Sequence, residues 1–157
     1  MTRRMASGDV MVLAGRALIP GEASGSLLVS HEPLSFWGGY DAATGEVIDR
    51  RHPLSGENAA GRILAIPGTR GSSTTTAVLL EAIRQGTAPA AILTSGTDSF
   101  LTLSAIVADE MYGKVLPLVA LGDEDFHRLV SGRSASVKSD GTVVVEEGPG
   151  SPVRAYE

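Results

Sequence analysis

A serine at the mouth of a helix is the residue of this sequence best placed to do chemistry. Gly68-Thr69-Arg70-Gly71-Ser72-Ser73-Thr74-Thr75-Thr76 separates an apolar run at 63–66 from a helical stripe of Ala77, Val78, Leu79, Leu80, Ala82 and Ile83 that stops at Gly86. Glycines at 68 and 71 let the backbone turn tightly. Ser72 or Ser73 then caps the helix, or sits in the positive potential of its free N–H groups, where an alkoxide or a bound carboxylate is stabilised. Spacing leaves both roles open. The stretch lacks the Gly-Lys-Ser/Thr ending of a P-loop and the Gly-x-Ser-x-Gly of a nucleophile elbow. Arg70 can hold a carboxylate bidentately or be a solvated surface cation. Gly38-Gly39-x-Asp41 can bring backbone close to a ligand, or be a turn closed by an Asx bond. His31, His52 and His127 have no metal-ligand spacing, and His52-Pro53 reads as loop packing. Thr94-Ser95-Gly96-Thr97 follows a strand and would form a second wall on the sheet edge of Ser72. Asp98, Asp109 and Glu110 read as caps or solvated charges.

The elements that must position these residues alternate along the chain. Residues 10–19 read as a first strand with Gly15 as a bulge or turn. After Pro20-Gly21-Glu22-Ala23, residues 26–30 read as a second strand, and the two as an antiparallel hairpin. Residues 31–61 are long and weakly periodic, but Phe36, Trp37 and Tyr40 fall within five positions, so an ordered, packed loop is expected. Strands follow at 63–66, 90–94 and 117–121. Helices follow at 101–111, with Leu103, Ile106 and Val107 on one face, and at 123–130, acidic at its start and with Arg128 near its end. Residues 134–138 and 142–146 alternate around Ser139-Asp140-Gly141, a hairpin signal. The order β-β, loop, β-α-β-α-β-α, β-β makes an α/β fold of β/β/α type. It has a central, mainly parallel sheet, flanking helices and an added antiparallel β layer.

The totals bound the function. At 157 residues the chain forms one domain, and a net charge of −5 argues against nucleic acid or an anionic membrane as the main partner. The absence of cysteine excludes disulfides, thiol chemistry and an iron–sulfur cluster held by this chain. No apolar run has the length of a membrane span, and the first residues lack a signal-peptide pattern, so a cytoplasmic protein without a metal of its own is expected.

Several motifs occur in an order that carries more than their chemistry. Gly15-Arg16, Gly21-x-Ala23-x-Gly25, Pro33-Leu34-Ser35-Phe36-Trp37-Gly38-Gly39-x-Asp41, Thr44-Gly45, His52-Pro53-Leu54-x-Gly56 and Pro67-x-x-Arg70-Gly71-Ser72 together resemble the small subunit, or swivel domain, of the aconitase X family, over roughly residues 10–122. The Gly-Ser-Ser piece is also similar to the serine loop in the swivel domain of ordinary aconitases.

The resemblance implies a swivelling β/β/α domain at 10–147, between a flexible N-terminus at 1–9 and a flexible tail at 148–157. It implies a dehydratase whose large catalytic subunit carries the iron or iron–sulfur centre. Ser72 matches the family's serine base, and Arg70, Gly71, Ser73, Gly38, Gly39 and Asp41 become candidates for binding a small hydroxy acid. Family members dehydrate cis-3-hydroxy-L-proline or, in archaeal two-subunit enzymes, 5-phosphomevalonate. Ordinary aconitases have an arginine after Gly-Ser-Ser where this sequence has Thr74, which fits a smaller monocarboxylate. Residues 123–157 read as an extension beyond the compact archaeal subunits and tilt the expectation toward hydroxyproline. Two rivals remain: a phosphohistidine-type swivelling module, which would need a histidine where Ser72 stands, and a scaffold subunit whose serines only cap a helix.

Overall fold

The computed structural model describes residues 9–70 and 74–147, with Thr74 as backbone alone. The expected flexible ends, apart from Asp9, and Gly71, Ser72 and Ser73 lie outside the described residues. The elements are β1 (Val10–Ala14), β2 (Arg16–Ile19), β3 (Ala23–Val29), β4 (Ile63–Ala65), α1 (Thr74–Gln85), β5 (Ala91–Ser95), α2 (Ser99–Tyr112), β6 (Leu118–Leu121), α3 (Asp123–Phe126), β7 (Ser134–Val137) and β8 (Thr142–Glu146).

The strands form one sheet in the order β1-β8-β7-β3-β4-β5-β6-β2. Its centre, β3 through β6, is parallel. Helices α1 and α2 make the crossovers such pairing requires. The remaining pairs are antiparallel. Strands β1 and β2 lie at opposite ends of the order, yet only Gly15 separates them in the chain. The sheet therefore folds back on itself. Gly15 N–H donates to the Gly141 carbonyl, 3.1 Å, where the β1–β2 corner meets the β7–β8 turn.

Strand alternation sorts the apolar residues into two cores. Leu27, Ile63, Leu93 and Val119 pack inside the folded sheet with Leu13 and Val143. Their neighbours Leu28, Leu64, Ile92 and Leu118 face the other way and pack with Leu79 and Ala82 of α1 and Leu101 and Ala105 of α2. Burial on both faces is why β4, β5 and β6 read as continuous apolar runs.

Two expectations are corrected. The first strand does not pair with the second: β1 pairs with β8 in the register Val12↔Val144, β2 pairs with β6, and β3 lies between β4 and β7. A turn at Pro20-Gly21 reverses the chain but does not choose the partner strand. The α2 face is also different. Leu101, Ser104, Ala105 and Ala108 are buried, whereas Leu103 and Ile106 are 50% and 48% exposed. Small residues let α2 approach α1 closely, and Ser104 tolerates burial because its hydroxyl donates to the Phe100 carbonyl at 2.7 Å.

The β1–β2 corner gives a first prediction. A Cβ at Gly15 would run into the Val119 side chain and come within 2.8 Å of the Gly141 carbonyl oxygen. Gly15→Ala should destabilise the domain by about 1–3 kcal/mol, the usual cost of overpacking. Thermal unfolding should then fall by several degrees; an unchanged melting temperature would mean the corner is not closed.

Candidate active site

Because β3, β4, β5 and β6 are parallel, their C-terminal ends share one edge, where α/β sheets place ligands. The loop leaving β4 is pinned there on three sides. Toward β5, Ser95 N–H donates to the Pro67 carbonyl at 3.3 Å. Toward the segment after β3, Leu34 N–H donates to the Gly68 carbonyl at 3.2 Å and Arg70 N–H to the Leu34 carbonyl at 3.1 Å. Toward α2, Asp98 Oδ2 accepts from both Thr69 N–H, 2.7 Å, and Thr69 Oγ1, 2.8 Å. Asp98 Oδ1 meanwhile caps α2 by accepting from Leu101 N–H at 3.0 Å.

Arg70 is exposed at the end of this pinned loop, and α1 begins four residues later at Thr74. The first turn of α1 holds no acidic residue, so no carboxylate there offsets its positive dipole end. Thr75 is buried, and the Thr76 hydroxyl is a buried polar atom without a hydrogen-bond partner among the described residues. At the other end of α1, Arg84 and then Gln85 bond the exposed Glu81 carboxylate and hold it down to about 2.

The Gly38-Gly39-x-Asp41 segment divides. Leu34 bridges to Thr69 beside the α1 entrance, while Ala42 accepts from Thr87 Oγ1, at 2.6 Å, beyond the α1 C-terminus. The segment thus runs the length of α1, about 18 Å for 12 residues. Gly38 is exposed with φ +79, beside Trp37, which is 65% exposed. Gly39 is buried, and a Cβ there would collide with the Ser35 carbonyl oxygen. Asp41 lies near the far end of α1 and closes a turn, its Oδ1 accepting from Ala43 N–H at 2.9 Å. The fold therefore brings Arg70 to the α1 entrance and does not bring Asp41 there.

Tyr40 and His52 anchor this loop. Tyr40 Oη donates to the Thr87 carbonyl at 2.7 Å, and burial pushes its phenol well above the ordinary range, so it stays neutral. His52 Nδ1 accepts from Leu54 N–H at 3.1 Å, which leaves the proton on Nε2, facing the Pro33 carbonyl at 3.1 Å. That is the packing role expected of His52-Pro53. His52→Ala should cost about 1–3 kcal/mol by stranding those buried partners, read as a lower denaturation midpoint; an unchanged midpoint would show that the ring holds nothing.

Sequence reasoning missed two features. Asp98 reads as a cap or a solvated charge, yet it also binds Thr69; only its place after a β5 loop on the same sheet edge hinted at that. His31 and His127 look unrelated in sequence but stack with ring centroids 4.9 Å apart beside Phe126. The second wall expected at 94–97 is on the edge, where Ser95 Oγ donates to Asp123 Oδ1.

Iron or an iron–sulfur centre does not fit this donor set. The chain has no cysteine, and among the described residues no three His, Asp or Glu side chains gather into a metal site. Nor, among the described residues, is any helix long and apolar enough to cross a membrane.

A parallel β-α-β centre, closed by antiparallel strands and carrying the pinned loop at 68–70 on its C-terminal edge, makes a β/β/α domain. Residues 12–145 match the model of the aconitase X swivel domain, and the chain belongs to that family. It is 54% identical over 112 residues to the cis-3-hydroxy-L-proline dehydratase of Pseudomonas aeruginosa, covering 71% of this chain and 19% of the relative. The same comparison with the Hypocrea jecorina enzyme of that name gives 46% over 129 residues, 82% of this chain and 22% of the relative. The chain thus spans about a fifth of the length of these two relatives. The small subunit of Thermococcus onnurineus phosphomevalonate dehydratase is 38% identical over 138 residues, 87% of this chain and 100% of that subunit. A chain of the holo form of Thermococcus kodakaraensis aconitase X superposes with a TM-score of 0.78 at 32% identity, covering 87% of this chain and 99% of that one. The match reaches residue 145, so β7 and β8 belong to the family fold. This corrects the expected extension from 123 onward, which carries no weight in the choice of substrate.

Proposed function

We propose that this swivel domain supplies the base of an aconitase X type dehydratase acting on a small hydroxy acid, with cis-3-hydroxy-L-proline as substrate. The carrying observation is the pinned Gly68-Thr69-Arg70 loop, which leads directly into Ser72 and an α1 entrance whose first turn holds no carboxylate. Ser72 as alkoxide takes the proton alpha to the substrate carboxylate. The electron pair of that C–H bond becomes a carbon–carbon double bond as the hydroxyl at C3 departs with a proton from solvent as water, and Ser72 returns the proton it took to solvent. The enamine then tautomerises to pyrroline-2-carboxylate. A free serine is a weak base; the positive helix end favours its ionised form, and exclusion of water, which by itself disfavours charge, strengthens that attraction. Arg70 and the helix N–H groups are suited to the substrate carboxylate, with Gly71 and Ser73 as neighbours and Gly38-Gly39 flanking the segment that supports the loop. Asp41 is left in its turn.

A large catalytic part, whether a separate subunit or another stretch of one polypeptide, completes the enzyme. We place the iron or iron–sulfur centre there, because this chain's side chains do not suit it. The 54% and 46% identities to enzymes named for cis-3-hydroxy-L-proline support that substrate. A second substrate, 5-phosphomevalonate, is favoured by the match to the entire small subunit from Thermococcus onnurineus. Assaying the assembled enzyme on both compounds side by side decides between them. Formation of pyrroline-2-carboxylate with no turnover of 5-phosphomevalonate is expected; the reverse result would overturn the substrate, and no dehydration of either would overturn the activity.

A further inference from the structure

We propose that Asp98 is a positioning residue for the serine loop and acts through Thr69; the proposal rests on the assignment of Ser72 as base. Asp98 does two things at once. Its Oδ1 caps α2 through Leu101 N–H, which fixes the carboxylate to a rigid element, and its carbonyl accepts from Thr102 N–H at 3.0 Å. Its Oδ2 then takes both donors of Thr69, the backbone N–H and the hydroxyl, at 2.7 and 2.8 Å. Two charge-assisted hydrogen bonds on one residue hold it more firmly than a neutral pair would. Gly68 permits the approach: a Cβ there would stand 3.2 Å from Oδ2.

Capping alone would need one oxygen. The second oxygen is spent on a residue 29 positions away in sequence and three before Ser72. Two peptide units separate Arg70 from Ser72 and two more separate Ser72 from Thr74, at most about 7 Å of Cα reach on each side. The chain is thus tethered at Arg70 by Leu34 and at Thr69 by Asp98, and resumes in α1 at Thr74. Displacing Thr69 shifts the lead-in to Ser72, and misplacing a reacting group by about 1 Å costs on the order of a hundredfold in rate.

Asp98→Asn tests this in the assembled enzyme. An amide keeps one acceptor for Leu101 but turns an NH2 toward Thr69 N–H, or the reverse. With cis-3-hydroxy-L-proline, kcat should fall about tenfold to a hundredfold while KM stays within about threefold. Thr69→Val keeps the fold and the N–H bond and removes the hydroxyl; it should lower kcat about tenfold, and Thr69→Ser should restore it to within about twofold. The valine–serine pair carries the test if Asp98→Asn does not fold. A change confined to KM, or a kcat within about twofold of wild type in both Asp98→Asn and Thr69→Val, overturns the proposal. A Ser72→Ala control separates the two levels: if it is inactive while those variants are normal, only the positioning role of Asp98 fails, whereas retained activity in Ser72→Ala removes the base assignment beneath it.

Discussion

Ser72→Ala in the assembled dehydratase should lower kcat by about 10²–10⁴-fold, the range that a lost general base costs. Alanine has no oxygen to accept the alpha proton. Serine to alanine removes a single oxygen and adds no bulk, so folding, assembly and KM should change little. Ser73→Ala is the matched control. It deletes a hydroxyl one residue away and should cost much less, because the helix N–H groups still meet the substrate carboxylate. Equal losses in the two variants would point to helix capping as the shared role of both serines. Near-wild-type turnover in Ser72→Ala would leave the domain as a scaffold.

Phe36→Ala should produce the largest loss of stability, about 3–5 kcal/mol, as expected for truncating a fully buried aromatic. Phe36 is 0% exposed and its ring centroid lies 5.1 Å from that of Tyr40. Both belong to the core that joins the sheet to α1 and α2. Against a total of about 5–15 kcal/mol, such a loss brings the domain close to unfolding. At about 2–4 °C per kcal/mol the melting temperature should drop by roughly ten degrees. Phe36→Leu fills part of the space and should lose less. A melting temperature within about a degree of wild type for Phe36→Ala would mean that the loop rests on the surface instead of completing the core.

Strands β4, β5 and β6 of the parallel centre were legible because each is a short apolar run and helical stripes separate them, and those signals are local; β3 read instead as a hairpin partner of the first strand. Closure of the sheet was not. The pairing of β1 with β8 joins residues more than a hundred positions apart, and nothing in Val12 or Val144 names the other. Helix α2 misled because it is apolar nearly all round: Leu103 and Ile106 look like core, while Ser104, Ala105 and Ala108 are the residues small enough to meet α1. The aromatic cluster at 36–40 signalled order correctly but not uniformly. Phe36 and Tyr40 are buried, whereas Trp37 stands out at the Gly38 turn. At the site, Arg70 and the helix entrance followed from the glycine–serine spacing. Asp41 did not, because a Gly-Gly-x-Asp string cannot tell which end of a helix the chain will have reached. Asp98 was half legible: its cap follows from local sequence, but its bond to Thr69 depends on β4 and β5 being neighbours.

The central claim is that the hydroxyl of Ser72 completes an active site whose metal is held elsewhere. Water loss from cis-3-hydroxy-L-proline, followed with this chain alone, with the metal-bearing catalytic part alone, and with the two combined, tests it most directly. Turnover in the combined sample only, lowered about a hundredfold or more when the chain carries Ser72→Ala, is the predicted result. Equal turnover by the catalytic part without this chain, or by this chain without the catalytic part, would contradict it.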